Sequence, residues 1–236
     1  MNYLTLEKER MTKKSEIIKI IIYCWLVALL IYRLVISFSY KSELTNGESN
    51  NIWKAINVAN GNAIYNNPEQ LPLDVFQYTP ISEYPIILFT KVLNPNSINY
   101  VHWITVLGRL YQLTCNILLA YVIYKIAKNM LTLNKIDSSI VMLTSISLLT
   151  TTAFTIRPDA TALLCLFTTI YIYGKHIING CNNKTILLIA TSIILNFYCK
   201  QDGIFIAVPI GLHLILHKKW RVFFKIVFFS VSLLII

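Results

Sequence analysis

Blocks of apolar residues alternate with short basic segments along most of the chain. The blocks cover residues 17–38, 100–124, 138–156, 160–174, 185–198 and 203–216, and another begins near residue 222. A helix needs about 20 apolar residues to cross a bilayer, and several blocks are nearer to 15, so tilting or polar flanks must complete them. The pattern predicts an all-α fold, a polytopic transmembrane helical bundle with about seven spans.

One long polar stretch, residues 40–93, separates the first two blocks. Its acids are Glu43, Glu48, Glu69, Asp74 and Glu83. Loops longer than about 12–15 residues without regular structure are usually functional or disordered. The many aromatic residues in this stretch argue against disorder. We therefore expect it to cover an active site and to supply acids to it.

Two helical segments are expected inside this stretch. Residues 49–61 place apolar side chains at helical spacing, namely Ile52, Ala55, Ile56 and Ala59. This spacing predicts a short amphipathic helix along the membrane surface, which Gly61 would end. Residues 86–93 are apolar but too short to cross a membrane alone.

Composition and charge support a membrane protein. Of the 236 residues 56% are hydrophobic and 14% charged, and the net charge is +10. The basic residues cluster beside apolar blocks, at 125–136, 175–184 and 217–221, which is typical of cytoplasmic loops and not of a nucleic-acid surface. The predicted organisation is a cytoplasmic tail over 1–16 and a transmembrane domain over 17–236, truncated at its C-terminus because the chain stops inside an apolar block. The first outside loop would then cover 39–99.

Charged residues recur at the opposite, outer ends of the predicted spans. They are Glu48 in the first loop, the pair Arg157 and Asp159, and the sequence Lys200-Gln201-Asp202. Ionisable groups at membrane depth are costly and usually mark a functional path or a paired site. A carboxylate there can act as a general base, and cationic side chains can hold a phosphate. The alternative is a set of ordinary interfacial loop charges.

Metal chemistry has little support in the sequence. The histidines His102, His176, His213 and His217 are dispersed, and the five cysteines have no Cys-x-x-Cys spacing. Neither an Asp-x-Asp motif nor a glycine-rich phosphate loop occurs. We expect no metal and no organic cofactor.

The order of these motifs resembles the GT-C superfamily of membrane glycosyltransferases, in the branch of protein O-mannosyltransferases and aminoarabinose transferases. The matching positions are Gly47-Glu48, Ala55, Gly61, Tyr65, Tyr78-Thr79-Pro80, Gly108-Arg109-Leu110 and Arg157-Pro158-Asp159-Ala160. The branch often has Asp-Glu or Asp in the first loop, where this chain has Gly47-Glu48. Its later spans and soluble C-terminal part have no counterpart here.

The resemblance implies transfer of a sugar, with inversion, from a polyprenyl-phosphate donor to a protein, lipid or glycan acceptor on the outer face. Glu48 would be the base, with Glu43 as its rival, and Asp159 would assist it or orient the acceptor. Arg157 and Lys200 would bind the donor phosphate. The remaining substrate contacts would come from Tyr78, Arg109, Gln201 and Asp202.

Several of these residues also have a structural interpretation. Arg109 could pair with an acid in a neighbouring span, Tyr78 could be an interfacial aromatic, and Asp202 could cap the next helix. For the whole chain, the alternatives are a transporter or flippase of a lipid-linked or small solute, and an inactive fragment of a larger transferase. The expected location is the plasma (inner) membrane, or the endoplasmic reticulum in a eukaryote.

Overall fold

A computed structural model describes residues 3–39, 47–65, 80–93, 98–148, 154–179 and 182–235, and the regular elements in these ranges are all helical. The α-helices are α1 (Tyr3–Ser39), α2 (Glu48–Ala59), α3 (Tyr84–Val92), α4 (Tyr100–Asn129), α5 (Lys135–Ser147), α6 (Asp159–Asn179), α7 (Asn183–Cys199), α8 (Ala207–Leu216) and α9 (Trp220–Ile235). Two 3-10 turns, Pro80–Ser82 and Gln201–Ile206, precede α3 and α8. The all-helical prediction is confirmed for these ranges.

Three of the described helices are long and apolar enough to cross a membrane. They are Ser15–Ser39 within α1, Tyr100–Asn129 and Asp159–Ile177, and two shorter apolar segments follow, Asn183–Cys199 and Gln201–Leu216. Many large apolar side chains of α1 are more than half exposed, as expected for a lipid-facing surface. The count of about seven spans and the orientation of the chain stay predictions.

The apolar block over 138–156 is not one helix, and this prediction of a single span is wrong. Helix α5 ends at Ser147, and the chain from Phe154 to Pro158 forms a tight turn that leads into α6. Phe154, Thr155 and Ile156 are almost fully buried there. An apolar run indicates burial but does not by itself indicate a helix. In addition, Pro158 disfavours the helical conformation at Arg157.

The predicted helix in the first loop is present as α2, and Gly61 just beyond it has the positive φ of 96° that favours glycine. Its packing differs from the prediction. The face that carries Ile52 and Ala55 is buried against α3 and α4, so it contacts protein where a lipid surface was expected. The helix therefore belongs to the core that supports the site.

Helix α4 is central to the packing. It contacts both α5 and α6, while α6 packs on α7 and α7 on α9. Helix α3 packs between α2 and α4, and the Pro80–Ser82 turn contacts α7. One apolar cluster joins these parts beneath the first loop: Ile52, Ala55, Ile86, Ile87, Ile104 and Ile156. This cluster fixes the first loop against the turn that begins α6.

Candidate active site

A buried ion pair connects the first loop to the centre of the bundle. Glu48 is the first residue of α2 and Arg109 lies on α4, 61 positions later. Arg109 donates from Nε to Glu48 Oε1 at 2.9 Å and from Nη2 to Oε2 at 2.7 Å. Both side chains are about 98% buried or more. The two-point geometry compensates for the cost of removing both charges from water.

The same pair also holds two other parts of the chain. Arg109 Nη1 donates to the carbonyl of Ser37 at 2.8 Å, near the end of α1. The backbone N–H of Ile156 donates to Glu48 Oε1 at 3.2 Å, and Asn51 Nδ2 donates to the Ile156 carbonyl at 2.7 Å. These three bonds supply partners for the Ser37 carbonyl and for the N–H and carbonyl of Ile156.

Gly108 explains why Ile156 can come so close to α4. A Cβ atom at position 108 would lie 2.5 Å from Ile156 Cδ1 and 3.4 Å from Ile86 Cδ1. Only glycine leaves room for this approach without moving the neighbours. The Gly108-Arg109 sequence therefore combines a close approach with the cation that fixes Glu48.

A second charge cluster lies at the start of α6. Asp159 Oδ1 accepts a bond from Lys200 Nζ at 3.0 Å, and Asp159 Oδ2 lies 3.3 Å from Arg157 Nε. The exposed fractions of the three side chains are between 26% and 34%, so the cluster is partly open to solvent. With both cations charged and the acid ionised, its formal charge is +1.

The turn after α7 places Lys200 beside Asp159. Lys200 N donates to the Asn196 carbonyl, and Gly203 N donates to the Lys200 carbonyl at 2.8 Å. A Cβ atom at position 203 would lie 2.4 Å from the Asn196 carbonyl oxygen. Since that atom belongs to the backbone of α7, a larger residue would have to shift the turn.

The two clusters adjoin each other through two consecutive residues. The backbone of Ile156 is bonded to Glu48 and Asn51, and Arg157, the next residue, extends its side chain to Asp159. The structure thus brings together five of the eight predicted site residues: Glu48, Arg109, Arg157, Asp159 and Lys200. Arg109 pairs with the acid of the first loop, whereas the structural alternative expected an acid from a neighbouring span.

The other predicted residues are not joined to this set. Gln201 and Asp202 are exposed at the start of a 3-10 turn, and in the described ranges neither bonds to the two clusters. Tyr78 and the rival acid Glu43 lie outside the described residues. Asp202 occupies the first turn of that 3-10 segment but makes no capping bond there.

Glu83, one of the five acids of the long polar stretch, is buried in the structure. It immediately precedes α3, between the first two candidate spans, and only 3% of it is exposed. Burial raises the pKa of its carboxyl to about 8. Within the described ranges its Oε2 has no hydrogen-bond partner and it forms no ion pair. An acid at a helix start normally suggests a solvated cap, so no sequence signal pointed to burial.

The described ranges contain no group of three His, Cys, Asp or Glu side chains that could hold a metal ion. The cationic side chains of the site can bind an anion, and its carboxylates can accept a proton. The expectation of no metal and no cofactor stays a prediction.

Comparison with known proteins identifies the family of the chain. The family model described as dolichyl-phosphate-mannose-protein mannosyltransferase matches residues 79–236, about two thirds of the chain. The match includes Arg109, Arg157, Asp159 and Lys200, while Glu48 precedes it. No curated protein and no solved structure matches the chain. The resemblance to GT-C membrane glycosyltransferases is therefore confirmed, and the chain belongs to the dolichyl-phosphate-mannose-protein mannosyltransferase family.

Proposed function

We propose that this membrane glycosyltransferase moves a sugar from a polyprenyl-phosphate donor to a hydroxyl acceptor on the extracytoplasmic face. The observation that carries the proposal is the Asp159 cluster, in which two cations flank one partly exposed carboxylate. The basic segments at 125–136, 175–184 and 217–221 support the orientation, because cytoplasmic loops are rich in Lys and Arg.

Arg157 and Lys200 are assigned to the donor phosphate. A phosphodiester-linked sugar carries one negative charge, which the formal +1 of the cluster complements. When the bond to the sugar breaks, the departing lipid phosphate gains a second negative charge. Cations already positioned there stabilise that charge in the transition state more than in the ground state, and such preorganised stabilisation is a major source of catalysis.

Two acids are candidates for accepting the proton of the acceptor hydroxyl. Both oxygens of Glu48 are engaged by Arg109, Oε1 also accepts from Ile156, and the side chain is buried. The oxygens of Asp159 are also engaged, by Lys200 and Arg157, but its side chain is about a quarter exposed, so an incoming hydroxyl can approach it. We therefore assign the base to Asp159 and a positioning role to Glu48, although the resemblance alone favours Glu48 as the base.

The test measures sugar transfer in membranes that contain the protein, supplied with labelled polyprenyl-phosphate sugars and hydroxyl acceptors. Asp159→Asn should lower transfer by about 10²–10⁴-fold, the usual contribution of a general base. Asp137→Asn is the matched control, since Asp137 pairs with Lys19 where α1 meets α5 and contacts no residue of the site. Its transfer rate should stay within about twofold of wild type, because partly exposed ion pairs contribute little.

Glu48→Gln separates the two assignments. A positioning role predicts that Glu48→Gln lowers transfer less than Asp159→Asn does, and that the pH profile of the residual activity keeps its wild-type form. If Asp159→Asn retains activity while Glu48→Gln abolishes it in folded protein, Glu48 is the base and our assignment is wrong. No transfer from any donor, with folded wild-type protein in the membrane, would contradict the transferase proposal itself.

A further inference from the structure

A large basic cavity lies at the opposite end of the bundle from the candidate active site. Its volume is about 800 Å³, and it is bounded by the C-terminal end of α4, the second half of α6 and the end of α8. Lys175 lies sixteen residues beyond Asp159 on α6, which is about 24 Å along a helix at 1.5 Å per residue. A headgroup bound here would therefore not reach Asp159 or Lys200.

The charged side chains of this cavity are of one sign. Its described lining includes Lys175, Lys219, His213 and His217 and contains no acid. A second hollow shares Lys219 and continues past Lys218 and Arg221, which extends the basic surface outward. A concave surface lined by one sign of charge concentrates ligands of the opposite sign.

Several contacts hold the basic groups in place. Lys219 Nζ donates to the carbonyl of Ile177 at 3.0 Å, which fixes the segment before α9 to α6. The hydroxyl of Tyr173 and Nδ1 of His213 are 2.6 Å apart, and the His213 and His217 rings have centroids 4.3 Å apart. The geometry of these side chains is thus set by packing between α6 and α8, which favours a built site over a loose surface patch.

The rest of the lining is apolar or aromatic. Met130, Ile170, Tyr171 and Ile177 contribute to the wall, and the exposed ring of Trp220 lies beside the outer hollow. Tryptophan with neighbouring Lys and Arg is typical of the membrane–water interface. A small soluble anion needs only the cations, whereas a phospholipid would use the cations for its phosphate and the apolar wall for its glycerol and acyl region.

We propose that this cavity binds the phosphate of an anionic phospholipid at the face opposite the candidate active site. Basic pockets between transmembrane helices on the cytoplasmic side bind phospholipid headgroups in this way. The lipid would bridge α4, α6 and the α8–α9 connection, and its binding is independent of whether the chain transfers sugar.

The experiment compares lipid retention by native mass spectrometry after purification from nanodiscs of phosphatidylglycerol or phosphatidylcholine. Wild-type protein should retain phosphatidylglycerol in preference to phosphatidylcholine. The variant Lys175→Gln with His217→Gln should retain about tenfold less phosphatidylglycerol, because it removes one lysine and one hydrogen-bonding imidazole from the lining, and a lysine near a phosphate contributes substantially to anionic lipid binding. A single Lys175→Gln substitution provides the same comparison if the double variant does not fold.

The matched control is Lys125→Gln with Lys128→Gln. These lysines lie near the same end of α4, next to the rings of Tyr121 and Tyr124, and neither lines the cavity. The control should retain phosphatidylglycerol like wild type. Equal losses in control and cavity variants would show a diffuse attraction to the basic face, and unchanged retention in the cavity variants would show no role for the cavity. Either result overturns the proposal.

A second arm tests the source of the phosphate. Inorganic phosphate is added to protein in phosphatidylcholine nanodiscs, and the change in thermal unfolding temperature is measured. The increase in wild type should be no larger than the increase in the Lys175→Gln variant. Protection by inorganic phosphate that the variant loses, without preference for phosphatidylglycerol, would assign the cavity to a soluble anion and overturn the lipid proposal.

Discussion

The two charge clusters of the candidate site use similar residues in different surroundings. Glu48 and Arg109 form a closed pair with two matched bonds and almost no exposure. Asp159 shares its two oxygens between Arg157 and Lys200, and about a quarter to a third of each side chain remains open. The first cluster joins α1, α2 and α4 and is closed to solvent, whereas the second has two cations for one acid and is partly open to solvent.

Our proposal assigns support to the buried pair and chemistry to the partly exposed cluster because of this difference in burial. A fully paired, buried carboxylate holds its surroundings together, and breaking the pair leaves a charge with no compensation. A partly exposed cluster costs little to rearrange and can exchange its internal partners for those of a substrate. Glu83 adds a third case, a buried acid without a cation among the described residues.

The largest expected effect on stability comes from removing Arg109. Arg109→Met would leave Glu48 buried without its partner and should lower the free energy of unfolding by about 3–5 kcal/mol. A denaturant titration of each variant in detergent micelles measures this loss. Adding Glu48→Gln to Arg109→Met should recover part of the stability, because the unpaired charge is then gone. A double variant no more stable than Arg109→Met would contradict the compensation argument.

The next prediction concerns Glu83 and pH. Its folded-state pKa, raised by burial to about 8, lies above the ordinary value of 4.5. Between these values the folded protein keeps a proton that the unfolded chain releases. The contribution of Glu83 to stability is therefore fully present below pH 4.5 and is lost as pH rises toward 8, at about 1.4 kcal/mol per pH unit.

Glu83→Gln removes this ionisation. The variant should be more stable than wild type by a few kcal/mol at pH 8 and similar to it near pH 4.5. Thermal unfolding from pH 4.5 to 8.5 compares the two, and Glu16→Gln, at a half-exposed acid that pairs with Lys19, is the control. Parallel stability curves for wild type and Glu83→Gln would show that Glu83 does not titrate in this range.

The smallest effect on stability is expected at the open cluster. Lys200→Met removes a partly exposed ion pair and should change the free energy of unfolding by about 1 kcal/mol or less. Its transfer activity should nevertheless fall by about 10²–10³-fold, as when one preorganised charge-stabilising group is removed. The two measurements are unfolding in detergent and sugar transfer in membranes. A large loss of stability with unchanged transfer would reverse the contrast between the clusters.

Much of the site could be predicted because its charges stand out against apolar sequence. Three of its charged residues lie within or beside apolar segments, namely Arg109, Asp159 and Lys200. A charge at such a position is costly and usually marks a paired or functional site. The pairing of Glu48 with Arg109 could not be predicted, since the two residues are 61 positions apart and only the packing of α2 on α3 and α4 makes them neighbours. The hydrogen bond from the Ile156 backbone N–H to Glu48 could not be predicted either, because backbone groups have no sequence signature.

The sequence by itself determined the helical membrane class, the long first loop with α2 in it, and the family. These follow from composition, from periodicity and from ordered motifs, which are local or additive properties of the chain. The tertiary structure decided where α5 ends, which acid is closed and which is open, and that Glu83 is buried. Burial depends on what packs against a residue from distant parts of the chain, so the same carboxylate can support the fold at one position and remain available for chemistry at another.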